Sequence, residues 1–200
     1  LFAAQSGTGL EDLLGAFGYT AYTDFYNEQD GTVRVFLDDT STLRLNASGL
    51  VQYASTDGSA TVSAYDESDI TDAAALDAQL DCARLILDAA QRAGDTDTHA
   101  SLYAVERSGE QTTLIFLQMY SGVPVLGDAD FATFVFDGSA LRTATIRLQK
   151  FQPTGGKRTV MPAKQAAAGA SGAERGLMAA YRAQDGQYVP SRFYLKNAAE

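Results

Sequence analysis

Apolar and polar positions alternate along this chain in two repeating blocks, each a helical stretch followed by four strand-like runs. The first block opens with a short helix over residues 9–17, with Thr8 as N-cap and Glu11 at the capping-box position. Strand-like runs follow at 20–27, 33–37, 42–46 and 49–55. Asp30 and Gly31 give a strong hairpin signal between the first two runs. Val33, Val35 and Leu37 alternate with Arg34 and Phe36, which predicts one buried sheet face. Ser48 and Gly49 turn the chain between the last two runs.

The second block opens with a longer helix, about 71–93. Leu76, Leu80, Ala83, Leu87 and Ala90 recur at helical spacing as its core stripe, and Asp72, Asp77, Asp81 and Asp88 fall largely off it. Thr71 or Asp69 can cap its start, and Gly94 is expected to end it. Four strand-like runs follow at 98–107, 112–120, 131–136 and 140–148, with turns at Ser108 and Gly109 and at Asp137 and Gly138. Phe131, Phe134 and Phe136 are expected to fill core. After a loop at 153–157, Pro162 starts an Ala-rich helix over 163–183, carrying Leu177, Met178 and Tyr181 and weakened by Gly169, Gly172 and Gly176. Asp185 and Gly186 then turn into a last strand, 192–196. The pattern therefore predicts an α+β protein: a first unit at 1–58, a second at 59–150, and a C-terminal helix–strand segment at 151–200 packing on the second. The acidic stretch 55–72 is the expected linker.

Two hundred residues with 46% hydrophobic content supply a sizeable core. No run approaches the length of a membrane-spanning helix. The chain begins at Leu1, as expected of a trimmed or mature chain whose signal or anchor lies upstream. The charge of −10 is unevenly placed: 22 acidic and 5 basic residues through Leu141, then 3 acidic and 10 basic from Arg142 onward. The basic third either folds against the acidic part or offers Arg142, Arg147, Lys150, Lys157, Arg158 and Lys164 to an anionic membrane, wall polymer or acidic protein. Nucleic acid is not an expected partner, because the whole chain repels it and the bases are spaced out.

Candidate chemistry is sparse, with one histidine, one cysteine and no tryptophan. Cys82 has no internal disulfide partner and sits in an apolar helical pattern. A nucleophilic triad would have to use His99; near Asp95 and Asp97 it lacks further ligands at recognisable metal spacing. Asp128 and Asp130 do not match a calcium loop, Ser171 is not in a nucleophile elbow, and Gly7 and Gly9 are too short a fingerprint for nucleotide. Asn46-Ala47-Ser48 is a formal glycosylation sequon at a tight turn. No cofactor, metal or catalytic residue is expected, although paired carboxylates for hydrolysis stay open in so acidic a chain.

The run 118–127, with Tyr120, Gly122, Pro124 and Gly127, then 131–136, Asp137 and Gly138, resembles the Tyr-x-Gly-x-Pro-Val-x-Gly hairpin of PepSY and thermolysin-propeptide modules. With the strand, loop and Pro-Ala helix start over 150–167, it is similar to the YycH/YycI family. That resemblance implies tandem PepSY-like units, an extracytoplasmic location with an N-terminal transmembrane anchor, and no catalytic residues. It also implies regulation of a WalK-type sensor kinase in Gram-positive bacteria, by binding the kinase or a sister regulator. The motif glycines and proline would shape the turn. The alternative is a PepSY-like secreted protease inhibitor or propeptide-like chaperone.

Overall fold

The computed structural model describes residues 8–20, 22–28, 31–56, 61–66, 70–127, 129–156, 159–168 and 174–196, with 174–177 and 193–196 as backbone alone. The elements run α1 (Thr8–Ala16), β1 (Phe25–Asn27), β2 (Val33–Leu37), β3 (Ser41–Asn46), β4 (Leu50–Ser55), α2 (Asp72–Gly94) and β5 (Thr98–Ser108). They continue β6 (Gln111–Tyr120), β7 (Val123–Leu126), β8 (Ala132–Asp137), β9 (Ala140–Arg147), α3 (Ala163–Ala168), β10 (Glu174–Gln184) and β11 (Gln187–Lys196). Asp30, Asp69, Asp128, Lys157, Arg158, Gly169, Ser171 and Gly172 lie outside the described residues.

All the described strands belong to one sheet, ordered β1-β2-β3-β4-β9-β8-β6-β7-β10-β11, with β5 paired among them to β6 alone. The two blocks of the sequence meet where β4 pairs antiparallel with β9, from Leu50 opposite Arg147 to Ala54 opposite Thr143. Strand β6 is the branch point. Along one edge it pairs with β5 over most of its length; along the other it pairs with β8 at its start and β7 at its end.

Side-chain alternation decides which face is buried. Leu43 and Leu45 of β3, Val51 and Tyr53 of β4, Phe134 and Phe136 of β8, and Leu114 and Phe116 of β6 are buried. On β9, Leu141 and Ala144 are three residues apart yet both buried, because a bulge between Val135 and Phe136 shifts the register. Both long helices pack against this face. Leu13, Leu14 and Phe17 from the α1 region and Ala83, Ile86, Leu87 and Ala90 from α2 join the strands in one core. Phe17 stacks on Tyr53 at 5.1 Å, and Phe116 meets Phe134 edge-on at 5.8 Å. Burying each such ring contributes roughly 1.5–3 kcal/mol.

The stop of α2 differs from expectation. Gly94 is its last residue, and left-handed Asp95 (φ 49°) forms the cap, its N–H bonding to the Arg92 carbonyl at 3.1 Å. Gly94 is needed for space: a Cβ there would stand 2.8 Å from Cδ1 of buried Leu148. The start is capped as expected, with the Thr71 hydroxyl accepting from the Ala74 N–H. Part of the acidic linker is also built into the fold. Val62 joins the core, its carbonyl accepts from the Leu141 N–H at 3.0 Å, and Ser63 bridges to Ala140.

The C-terminal third departs most. In place of a helix over 163–183 and one strand, only Ala163–Ala168 is helical among the described residues, and β10 and β11 form a long antiparallel hairpin. Asp185 (φ 50°) and Gly186 (φ 76°) both occupy the left-handed region, as a type I′ turn requires, and that twist matches paired strands. The helix propensity of the alanines loses to this turn and to pairing partners on both sides of β10. One of those partners is β7, which joins β10 in parallel through Tyr181 opposite Val125 and Arg182 opposite Leu126.

Candidate functional site

The motif that carries the resemblance is a pair of scaffold turns at opposite ends of β6. At one end Ser121 (φ 50°) and Gly122 (φ 75°) form a type I′ turn closed by Tyr120 opposite Val123. The downstream limb is the four-residue strand β7, with Pro124 opposite Met119 and Gly127 just beyond. At the other end Gln111 pairs with Asp137, and Gly138 (φ 57°) begins the next turn. There the Gly138 carbonyl accepts from Gln79 Nε2 of α2 at 2.8 Å. The Asp137 carboxylate accepts from Arg142 Nε and Nη2 at 3.2 and 2.8 Å. These residues fix strand order and register, and no two of them converge on a cleft.

Three of the six basic residues singled out by charge are engaged within the chain. Arg142 holds Asp137, Arg147 donates to the Asp130 carbonyl at 3.1 Å, and Lys150 pairs with Asp95 at 2.9 Å. Lys164 is exposed on α3. Lys157 and Arg158 lie outside the described residues.

His99 stands exposed on β5 opposite Met119, and Asp95 is committed to capping α2 and to Lys150. Among the described residues no three His, Cys, Asp or Glu side chains come close enough to share a metal ion. Three perturbed groups, Tyr19, Asp38 and Tyr53, share a hydroxyl-rich cluster. Tyr19 Oη lies 2.7 Å from Ser41 Oγ, which donates to Asp38 at 3.0 Å and lies 3.0 Å from the Thr61 hydroxyl. Burial pushes the Tyr19 hydroxyl up to about 12. Burial alone would raise Asp38, but hydrogen bonds from Thr40 and Ser41 outweigh it and hold the carboxylate below its ordinary value. Burial also raises Tyr53, whose hydroxyl makes no well-formed hydrogen bond with a described residue. Cys82 is pushed to about 11 by desolvation. This cluster ties residues 38–41 to 61 and is largely closed to ligands, since Ser41 is fully buried.

Two features face solvent. The first is the free edge of β5. Among the described residues its outer side pairs with nothing, and of its 11 residues only Thr98 is buried. Leu102 lies opposite Phe116 and Val105 opposite Leu114, so both sit on the helix-covered face, yet each is 37% exposed. Tyr103, the extra residue at a bulge, is 58% exposed. An alternating run predicts such a strand, but nothing local marks it as an edge.

The second is a groove of about 720 Å³ between the end of β6, the segment after β9 and the C-terminal hairpin. Four rings line it in sequence: Tyr181 lies 6.0 Å from Tyr120, Tyr120 is 5.4 Å from Phe151, and Phe151 is 5.2 Å from Tyr188. This groove is not visible in the sequence pattern, because the alanines of 163–183 predict a helix there. The overlooked signal was Asp185-Gly186 between Tyr181 and the run Tyr188-Val189, which points to a hairpin extending on both sides.

A large, almost wholly antiparallel sheet with α1 and α2 on one face is a mixed α+β arrangement compatible with a PepSY-like domain. No protein-family model matches the chain, and no curated protein matches it. Among solved structures, the Bacillus megaterium YpeB C-terminal domain is similar, with a TM-score of 0.52 over 94% of this chain and 85% of that one, at 10% identity. That likeness supports a PepSY-like fold; it does not extend to the YycH/YycI family.

Proposed function

We propose that this chain is a non-enzymatic, extracytoplasmic regulatory module of the YycH/YycI kind, which binds a protein partner by offering the edge of β5 to an extended segment of it. The observation that carries this reading is the edge itself. Its unpaired N–H and C=O groups form a template for one more strand, and Leu102, Tyr103 and Val105 give an added strand apolar contacts. β5 carries no lysine or proline; its charges, Glu106 and Arg107, lie beyond the apolar run, and its bulge turns Tyr103 outward. The partner implied by the sequence resemblance is the external domain of a membrane sensor kinase or a sister regulator, at the outer face of the membrane.

The test is binding of the chain to the external domain of a WalK-type kinase and to a YycH/YycI-type sister, with Tyr103→Lys and Val105→Lys as edge variants. Binding weakened about tenfold or more by either variant, with an unchanged urea midpoint, supports the reading. Absence of binding to both proteins sinks it. Inhibition of a secreted metalloprotease without kinase or sister binding replaces it with the inhibitor alternative.

A further inference from the structure

We infer that the aromatic groove beside the C-terminal hairpin is a binding site for a neutral oligosaccharide. A volume of about 720 Å³ falls within the range of small-molecule sites. Its walls come from three separate parts of the chain, and a buried amide locks two of them. Gln118, only 3% exposed, donates from Nε2 to Thr98 Oγ1 and to the Gln149 carbonyl, both at 2.9 Å. The Gln149 side chain in turn accepts from the Tyr188 hydroxyl at 2.7 Å. The trough is thus pre-formed, which spares a ligand the entropy of ordering it.

The lining selects the chemistry. Its one charged group among the described residues is Lys150, already paired with Asp95, so no described residue offers a charged ligand a free counter-charge. The remaining polar groups are phenols, carboxamides and hydroxyls, including Gln152, Gln187 and Ser48. Tyr120 and Tyr181 make no side-chain hydrogen bond with another described residue. Hydroxyl and amide groups both donate and accept, which matches the hydroxyls of a sugar. The half-buried ring faces match the C–H faces of a pyranose. Successive rings are inclined at 64°, 58° and 86°, so they wall a trough. Proline-rich peptides also dock aromatic-lined grooves, so one serves as the competitor in the test.

Isothermal titration with cellohexaose, chitohexaose and maltohexaose tests the assignment, with a proline-rich decapeptide as the competing ligand. At least one hexaose is expected to bind with a dissociation constant on the order of a millimolar or tighter. Tyr181→Ala should weaken it about tenfold. Gln187→Ala, at the exposed rim where folding is not at stake, should weaken it about threefold. Failure of all three sugars to saturate overturns the inference, as does binding by the peptide alone. So does sugar binding untouched by Gln187→Ala and by a folded Tyr181→Ala. None of these outcomes bears on the β5 edge, which lies across β6 from β7 and the C-terminal hairpin.

Discussion

Strands β5 and β9 are written in the same alternating code, yet the molecule uses them in opposite ways. β9 sits between β8 and β4 and buries Leu141, Ala144 and Ile146 completely. Among the described residues β5 has one neighbour and buries only Thr98. The difference lies in the neighbours, not in the local pattern. A central strand is defined by packing on both sides, whereas an edge strand keeps half of its backbone hydrogen-bonding capacity for something else.

The sharpest way to break the comparison is to cut into the centre. Phe134→Ala, which removes a fully buried ring next to Phe116, should cost about 3–5 kcal/mol in urea unfolding. A smaller loss would show that the core beside β9 is less tightly packed than it looks. Gly122→Ala comes next. At φ 75° it forces a side chain into the left-handed region and should cost about 1–2 kcal/mol by the same measurement.

The hydroxyl-rich cluster sharpens the comparison through pH. The folded-state pKa of Tyr19, about 12, lies above its ordinary value of 10.0, so folding favours the protonated phenol. Its contribution is complete below pH 10 and drains away as pH rises through 12. The urea midpoint of the parent should therefore fall between pH 9 and 11.5 more steeply than that of Tyr19→Phe. Equal slopes would contradict the burial of this hydroxyl. The edge should give the smallest effect: Tyr103→Lys ought to leave stability within about 0.5 kcal/mol. A larger loss would mean that the edge is covered in solution.

Helices α1 and α2 and nine of the eleven strands, β11 only in its second half, were legible in the sequence because their signals are local: a capped helix, alternating runs, and turn dipeptides at Ser108-Gly109 and Asp137-Gly138. The Arg142 pairing with Asp137 is equally local, spanning one hairpin turn. What escaped depends on residues far apart. Lys150 meets Asp95 across 55 positions, and Val125 meets Tyr181 in a parallel pairing that no turn enforces. The alanines of 163–183 carry a helical preference that only the completed sheet overrides. The candidate sites share this fate. The turn motif was visible at once, while the edge of β5 and the aromatic groove exist only when distant segments assemble.

The pairing of β4 with β9 also sets an order of events during synthesis. Leu50 is made nearly a hundred residues before its partner Arg147, so the hairpins of the first block emerge with β4 as an open, largely apolar flank. Closing so long a loop is entropically slow, and contacts of this separation delay folding. Until β9 arrives, the nascent chain presents an unsatisfied strand to its surroundings. The interval between those two residues is when this protein most needs protection from aggregation.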